Sequence, residues 1–175
     1  TTKDALADLK HLKVKKEIML SGDNAEICKK VAEEVGIDET YGELMPDQKL
    51  SKLAEIKTTG KTVFVGDGMN DSPSLLSADV GVAMGGLGSD AAIESADAVV
   101  MNDDLLKVAE YKRLSKKVML YIYEDIVGIL LVKVLLMLGK SNMILAILAD
   151  VGVLVLAVLN SLRIMLYKSK YKKSK

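Results

Sequence analysis

The chain has 175 residues and no net charge, with 50% hydrophobic and 27% charged positions, one Cys and no Trp. Length corresponds to about one domain. The hydrophobic share excludes a disordered or collagen-like chain, and the single cysteine excludes a disulfide scaffold or a redox or structural-zinc role built from this chain alone.

The zero charge conceals a division. Residues 1–117 hold 16 Lys and Arg against 21 Asp and Glu, net −5, and residues 118–175 hold 8 against 3, net +5. An acidic part followed by an apolar, base-edged part reads as a cytosolic domain joined to membrane segments, not as a nucleic-acid binder.

In chain order, residues 17–20 predict a strand, and 25–35 a helix in which Ile27, Val31 and Val35 recur at i, i+4, i+8 as an apolar stripe before Gly36. A short strand is expected near Tyr41, and Pro46 opens a helix carrying Leu50, Leu53 and Ala54 to Gly60. Residues 62–65 and 80–84 read as buried strands, 98–101 as another, and 103–117 as a helix running into an apolar segment. The alternation predicts a parallel α/β sheet over residues 1–117.

Residues 118–138 and 143–166 predict two membrane helices, each long enough to cross ~30 Å of hydrocarbon. Lys112, Arg113, Lys116 and Lys117 precede the first; Arg163, Lys168, Lys170, Lys172, Lys173 and Lys175 close or follow the second. This asymmetry predicts a hairpin with both ends cytoplasmic and no signal peptide before it. Residues 167–175 form a basic tail suited to water or anionic lipid.

Glu124, Asp125 and Lys133 interrupt the first span and Asp150 the second. Charges inside a bilayer are costly and mark functional candidates. At ~1.5 Å per residue from the turn, Lys133 lies about 9 Å deep and Asp150 about 12 Å, so the two can meet. Asp150 can hold Lys133 or take a cation in its place; the plainer alternatives are a snorkelling Lys133 and an interhelical hydrogen bond from Asp150. Glu124 and Asp125 read as residues of a wet interface.

In parallel sheets, ligands bind beyond the carboxyl ends of the strands. After the first strand comes Ser21-Gly22-Asp23-Asn24, a phosphate-binding arrangement or, taken alone, an ordinary helix cap. Lys49 lies in the first turn of the helix opened by Pro46, where its cation opposes the helix dipole; taken alone, it reads as a surface lysine. Gly66-Asp67-Gly68-Met69-Asn70-Asp71 follows the strand at 62–65 and sets two carboxylates and an amide on a turn, an oxygen-rich set suited to Mg²⁺ or, as an Asp-Gly pair alone, an ordinary tight turn. Together these make a phosphate and magnesium site. Cys28 reads as packing, and His11 has no partner ligands nearby in sequence.

These motifs resemble those of the P-type cation-transporting ATPases, whose phosphorylation domain is a haloacid-dehalogenase-like Rossmannoid fold. The Ser-Gly-Asp-Asn turn resembles their threonine/serine motif, Pro46-Asp47-Gln48-Lys49 their lysine motif, and residues 66–71 their magnesium motif. Residues 81–85, Ser89-Asp90 and Ala96-Asp97 resemble the segment that follows. The resemblance implies that Ser21, Gly22, Asp23, Lys49 and Asn70 hold the phosphoryl group of an ATP-driven reaction. It also implies that Asp67 and Asp71 serve Mg²⁺.

Lys133 and Asp150-Val151-Gly152 resemble the zinc, cadmium and lead exporters of the heavy-metal branch, with Asp150 toward the transported cation and Lys133 as its counter-charge. Asp125 departs from that pattern, in which a polar amide stands near the cytoplasmic end of this helix.

No Asp-Lys-Thr-Gly-Thr or Cys-Pro-Cys segment occurs in the chain. The resemblance therefore implies a carboxyl-terminal fragment of a plasma-membrane pump, inactive alone, whose missing amino-terminal part supplies the phosphorylated aspartate and the central strand between those ending at Leu20 and Val65. The alternative is a truncated, non-catalytic membrane protein that binds a partner chain.

Overall fold

The computed structural model describes residues 2–67, 70–85, 94–102, 104–139 and 143–168. Gly68 and Met69 of the magnesium motif, Ser89 and Asp90, the turn at 140–142 and the lysines of the tail beyond Lys168 lie outside the described residues. The chain forms two compact units, Thr1–Ala109 and Glu110–Lys175.

The first unit runs α1 (Thr2–His11), β1 (Ile18–Leu20), α2 (Ala25–Val35), β2 (Glu39–Tyr41), α3 (Pro46–Lys57), β3 (Val63–Gly66), α4 (Ser72–Ser77), β4 (Val80–Met84) and β5 (Ala98–Val100). The opening turn of the long helix α5 (Leu106–Leu138) also belongs to it. Helices α1 and α4 stand where the sequence predicts none: α1 buries only Ala5 and Leu6, and α4 is too short for an apolar period to repeat. Helix α5 begins three residues later than expected, where the Asp104 carboxylate accepts the Leu106 N–H at 3.0 Å.

Strands β1 and β2 pair in parallel with Ile18 opposite Glu39 and Leu20 opposite Tyr41. Strands β3, β4 and β5 form a second parallel sheet in that order, with Phe64 opposite Gly81 and Val82 opposite Ala98. Among the described residues no ladder joins β1 to β3. As an edge strand, β3 is only half buried and leaves Val63 52% exposed, which corrects the expectation of a buried strand at 62–65.

Helix α2 stands at the predicted residues, and the structure adds how much of its apolar stripe is covered. Asn24 caps it, accepting the Glu26 N–H at 2.9 Å, and it ends where the Gly36 N–H returns to the Ala32 carbonyl. Its buried residues are Cys28 and Ala32, while Ile27 is 58% and Val31 42% exposed. The small residues let the helix approach its sheet closely, and two strands only ~5 Å apart are too narrow to cover the whole stripe.

On the second sheet, Leu75 of α4 packs against Ala83, with Phe64, Ala96 and Val99 around them. Val82, Val100 and Val108 form a second cluster that docks the opening turn of α5. Two aspartates fasten the strands. Asp79 accepts the Thr62 N–H at 2.9 Å and its hydroxyl at 3.1 Å, and Asp97 accepts the Gly81 N–H at 2.8 Å.

In the second unit, α5 continues to Leu138 and α6 (Met143–Leu162) ends in a 3-10 turn, Arg163–Leu166. Ala146–Leu166 is long and apolar enough to cross a membrane. The apolar part of α5 does not meet that composition, because Glu124, Asp125 and Lys133 fall within it.

Candidate functional site

The phosphate-type loop begins where β1 ends. The Ser21 N–H donates to the Tyr41 carbonyl at 2.9 Å, continuing the β1–β2 pairing. The chain then turns through Gly22 and Asp23, with the Ser21 hydroxyl donating to Asp23 Oδ2 at 2.8 Å and accepting the Asp23 N–H at 3.2 Å. The small hydroxyl thus sits in an exposed turn rather than a core.

The segment after β2 braces this turn. The Glu43 N–H donates to the Asp23 carbonyl at 2.7 Å, and the Leu44 N–H to the Ser21 carbonyl at 3.0 Å. Glu43 adopts a left-handed φ of 56°, and its carboxylate accepts the Asn24 amide at 3.3 Å. At Gly42 a Cβ would stand 2.6 Å from Ala25 Cα and 3.0 Å from the Asp23 carbonyl oxygen, so only glycine permits this approach. Sequence reasoning missed the brace; its one visible signal is a glycine directly after a strand residue.

Helix α3 begins at Pro46, immediately beyond the brace, and Gln48 Oε1 accepts the Met45 N–H at 2.9 Å, supplying a partner for a donor at the helix start. One turn in, Lys49 opposes the positive end of the helix dipole. A carboxylate offsets this: Lys49 Nζ donates to Asp71 Oδ1 at 3.0 Å, and the two side chains are only 16% and 17% exposed. Helix α3 therefore links the Ser21 loop, through Leu44, to the end of β3, through Asp71.

Asp71 is the residue before α4, its carbonyl accepting the Leu75 N–H at 2.9 Å. Its carboxylate folds back over the end of β3, so that a Cβ on Gly66 would meet Asp71 Oδ2 at 3.2 Å and the Phe64 ring at 3.0 Å. A side chain at Gly66 would thus have to displace Asp71 or the Phe64 ring by a few tenths of an ångström. Asp67 directly follows β3, and Asn70 is exposed in the turn before Asp71. Among the described residues no three His, Cys, Asp or Glu side chains cluster as metal ligands. The available donors are one or two carboxylates, which fits Mg²⁺, a cation that keeps several of its waters.

In the second unit, Lys133 Nζ lies 3.8 Å from Asp150 Oδ1, the level meeting expected from the sequence, with the side chains 59% and 68% exposed. Glu124 and Asp125, read from the sequence as residues of a wet interface, engage Asn160, Ser161 and Arg163 of the second helix and its turn. No sequence pattern identified those three partners.

A family model described as haloacid dehalogenase-like hydrolase matches residues 1–79. The cadmium, zinc and cobalt-transporting ATPase of Bacillus subtilis is 43% identical over 174 residues, covering 95% of this chain and 25% of that protein. The zinc-transporting ATPase of Synechocystis is 42% identical over 167 residues, 91% of this chain and 23% of its own length. A crystal structure of a zinc-transporting PIB-type ATPase in the E2.Pi state superposes with a TM-score of 0.85 at 33% identity, over 93% of this chain and 27% of that one. The chain thus spans about a quarter of the length of the curated relatives it matches.

Proposed function

We propose, on the premise that this chain is homologous to one stretch of the cadmium- and zinc-transporting P-type ATPases, that it serves in ATP-driven export of a soft divalent cation through an aspartyl-phosphate intermediate. One observation carries the reading. A single chain, matched along 95% of its length by a metal-transporting ATPase, joins a phosphate-type site in one unit to a Lys133–Asp150 pair in the other.

In this reading Ser21 and the backbone of Gly22 and Asp23 face the phosphoryl oxygens, Lys49 supplies positive charge to them, and Asn70 orders the group. Asp67 and Asp71 hold Mg²⁺, which when bound neutralises the developing charge of phosphoryl transfer. The Lys49 ammonium, now on Asp71, moves to the phosphoryl group when that group arrives. The phosphorylated aspartate and the residues that bind ATP belong to a segment outside these 175 residues. Asp150 binds the transported cation, and Lys133 takes the carboxylate after release and so discourages re-binding. The protein is integral to the plasma membrane, with the first unit and both ends cytoplasmic.

The test is ATPase activity of the full-length protein in lipid with zinc, cadmium, lead, copper or cobalt, the last included because the Bacillus subtilis relative is named for it. Stimulation by zinc, cadmium or lead that vanishes in Asp150→Ala supports the reading. A Lys133→Ala variant with unchanged metal-stimulated turnover removes the counter-charge role. Absence of any stimulation overturns the export reading in favour of a non-catalytic, partner-binding chain.

A further inference from the structure

From Val118 to Leu166 the large apolar side chains of α5, α6 and the closing turn are mostly exposed, and backbone approach between the two helices is sparse among the described residues. Apolar packing between them therefore does little to fix the rotation of one helix against the other. Among the described residues the hydrogen bonds and ion pairs between the helices occur at two levels, and Lys117 lies over the Tyr167 ring at 4.8 Å beyond the closing turn. Near the turn there is the single 3.8 Å contact of Lys133 with Asp150. Eight residues back along α5, about 12 Å away, Asp125 uses both carboxylate oxygens: Oδ1 accepts the Asn160 amide at 2.9 Å and Oδ2 the Ser161 hydroxyl at 3.1 Å. A cleft of ≈ 300 Å³ opens at this second level, where Asp125 and Asn160 line it, and extends toward the turn past Gly128, Val132, Val153 and Ala157.

Asn160 and Ser161 are consecutive, so their side chains leave α6 about 100° apart. One carboxylate can bridge both at only one rotation of that helix. The amide is itself oriented, because Arg163 Nη1 donates to Asn160 Oδ1 at 2.7 Å and leaves Nδ2 to face the carboxylates. Arg163 also reaches Glu124 Oε2 at 3.3 Å and lies over the Tyr121 ring at 4.8 Å, which balances one of the two negative charges. In a rigid helix, fixing the direction of Asn160 fixes that of Asp150, ten residues away.

We propose that Asp125 is a positioning residue: with Asn160 and Ser161 it forms a latch that sets the rotation of α6 on α5 and so keeps Asp150 on the face that meets Lys133. The sequence alone cannot display this, since the partners lie 35 and 36 residues apart. The latch deepens the reading of Asp150 as the cation's carboxylate. Its functional consequence rests on that reading, whereas the geometric claim does not.

The experiment compares Asp125→Leu with Asp125→Asn in the full-length protein in lipid nanodiscs. Spin labels carried by unnatural residues replace Val134 and Val151, both exposed, and pulsed electron paramagnetic resonance reads their separation. Asn can keep one bond to each partner, so it retains the single narrow distribution of the parent; Leu broadens or shifts it. Equilibrium zinc binding weakens about threefold to tenfold in the Leu variant and stays near the parent value in the Asn variant. An Asp125→Leu distribution identical to the parent overturns the latch. Absence of zinc, cadmium and lead binding by the parent itself overturns the export reading while the distance measurement still decides the latch. Where Asp125→Leu does not insert, Asn160→Leu cuts the same latch from α6 and carries the same outcomes.

Discussion

Replacing Gly42 by alanine tests the link between the brace after β2 and the Ser21 turn. The added Cβ stands 2.6 Å from Ala25 Cα, where ordinary contact begins at 3.4 Å, so the two segments must separate by about 0.8 Å. Every atom it meets closely is backbone: Ala25 Cα and N, and the Asp23 carbonyl oxygen that the Glu43 N–H holds. No flexible side chain can yield instead. Overpacking of this kind costs about 1–3 kcal/mol, and misplacing a reactive loop by about 1 Å can cost roughly a hundredfold in rate. Gly42 is not among the positive-φ residues, so the effect comes from contact and not from backbone strain. On the proposed aspartyl-phosphate reading, the assay is phosphoenzyme formation by full-length Gly42→Ala protein, with thermal unfolding measured alongside. Phosphoenzyme should fall by at least tenfold, with a moderate loss of stability. A variant that forms phosphoenzyme at the parent rate and melts at the parent temperature refutes the claim that residues 42–44 hold the Ser21 turn in place.

Two further predictions concern the second sheet. Leu75, 1% exposed against Ala83 and Phe64, should cost about 2–5 kcal/mol when cut to alanine. Differential scanning fluorimetry should then show the first unit melting roughly 8 °C lower or more; no change in melting would mean that α4 does not close this core. Asp79 carries a carboxyl lowered to about 2, chiefly through its bond with Lys61 and also through the Thr62 N–H. Because the folded value lies below the unfolded one of about 3.9, Asp79 contributes stability that is complete above that value and lost as pH falls toward about 2. Asp79→Asn should therefore flatten the acid limb of a stability–pH profile between about pH 4 and pH 2. A limb of unchanged steepness would show that other carboxylates dominate it.

Much of the site was legible because its chemistry is local. A hydroxyl and a glycine after one short apolar run, and carboxylates after another, identify strand ends before any coordinates exist, and the strands stand within a residue or two of expectation. Lys49 was legible as a residue near a helix start, but its partner was not, since Asp71 lies 22 residues on and only the crossing of α3 with the end of β3 brings them to 3.0 Å. The stripe of Ile27 and Val31 foretold the helix but not its burial, for a related reason. Periodicity reveals that a helix has an apolar face, whereas the width of the surface it lands on decides how much of that face is buried.

The same division holds in the second unit. Sequence determined the two long apolar segments, their charged interruptions and the shared level of Lys133 and Asp150, because rise per residue converts position into depth. Tertiary structure decided the rotation of the helices. Depth follows from counting along one chain, but rotation depends on which donors of α6 meet which oxygens of α5. That choice is made by contacts 35 to 39 residues apart.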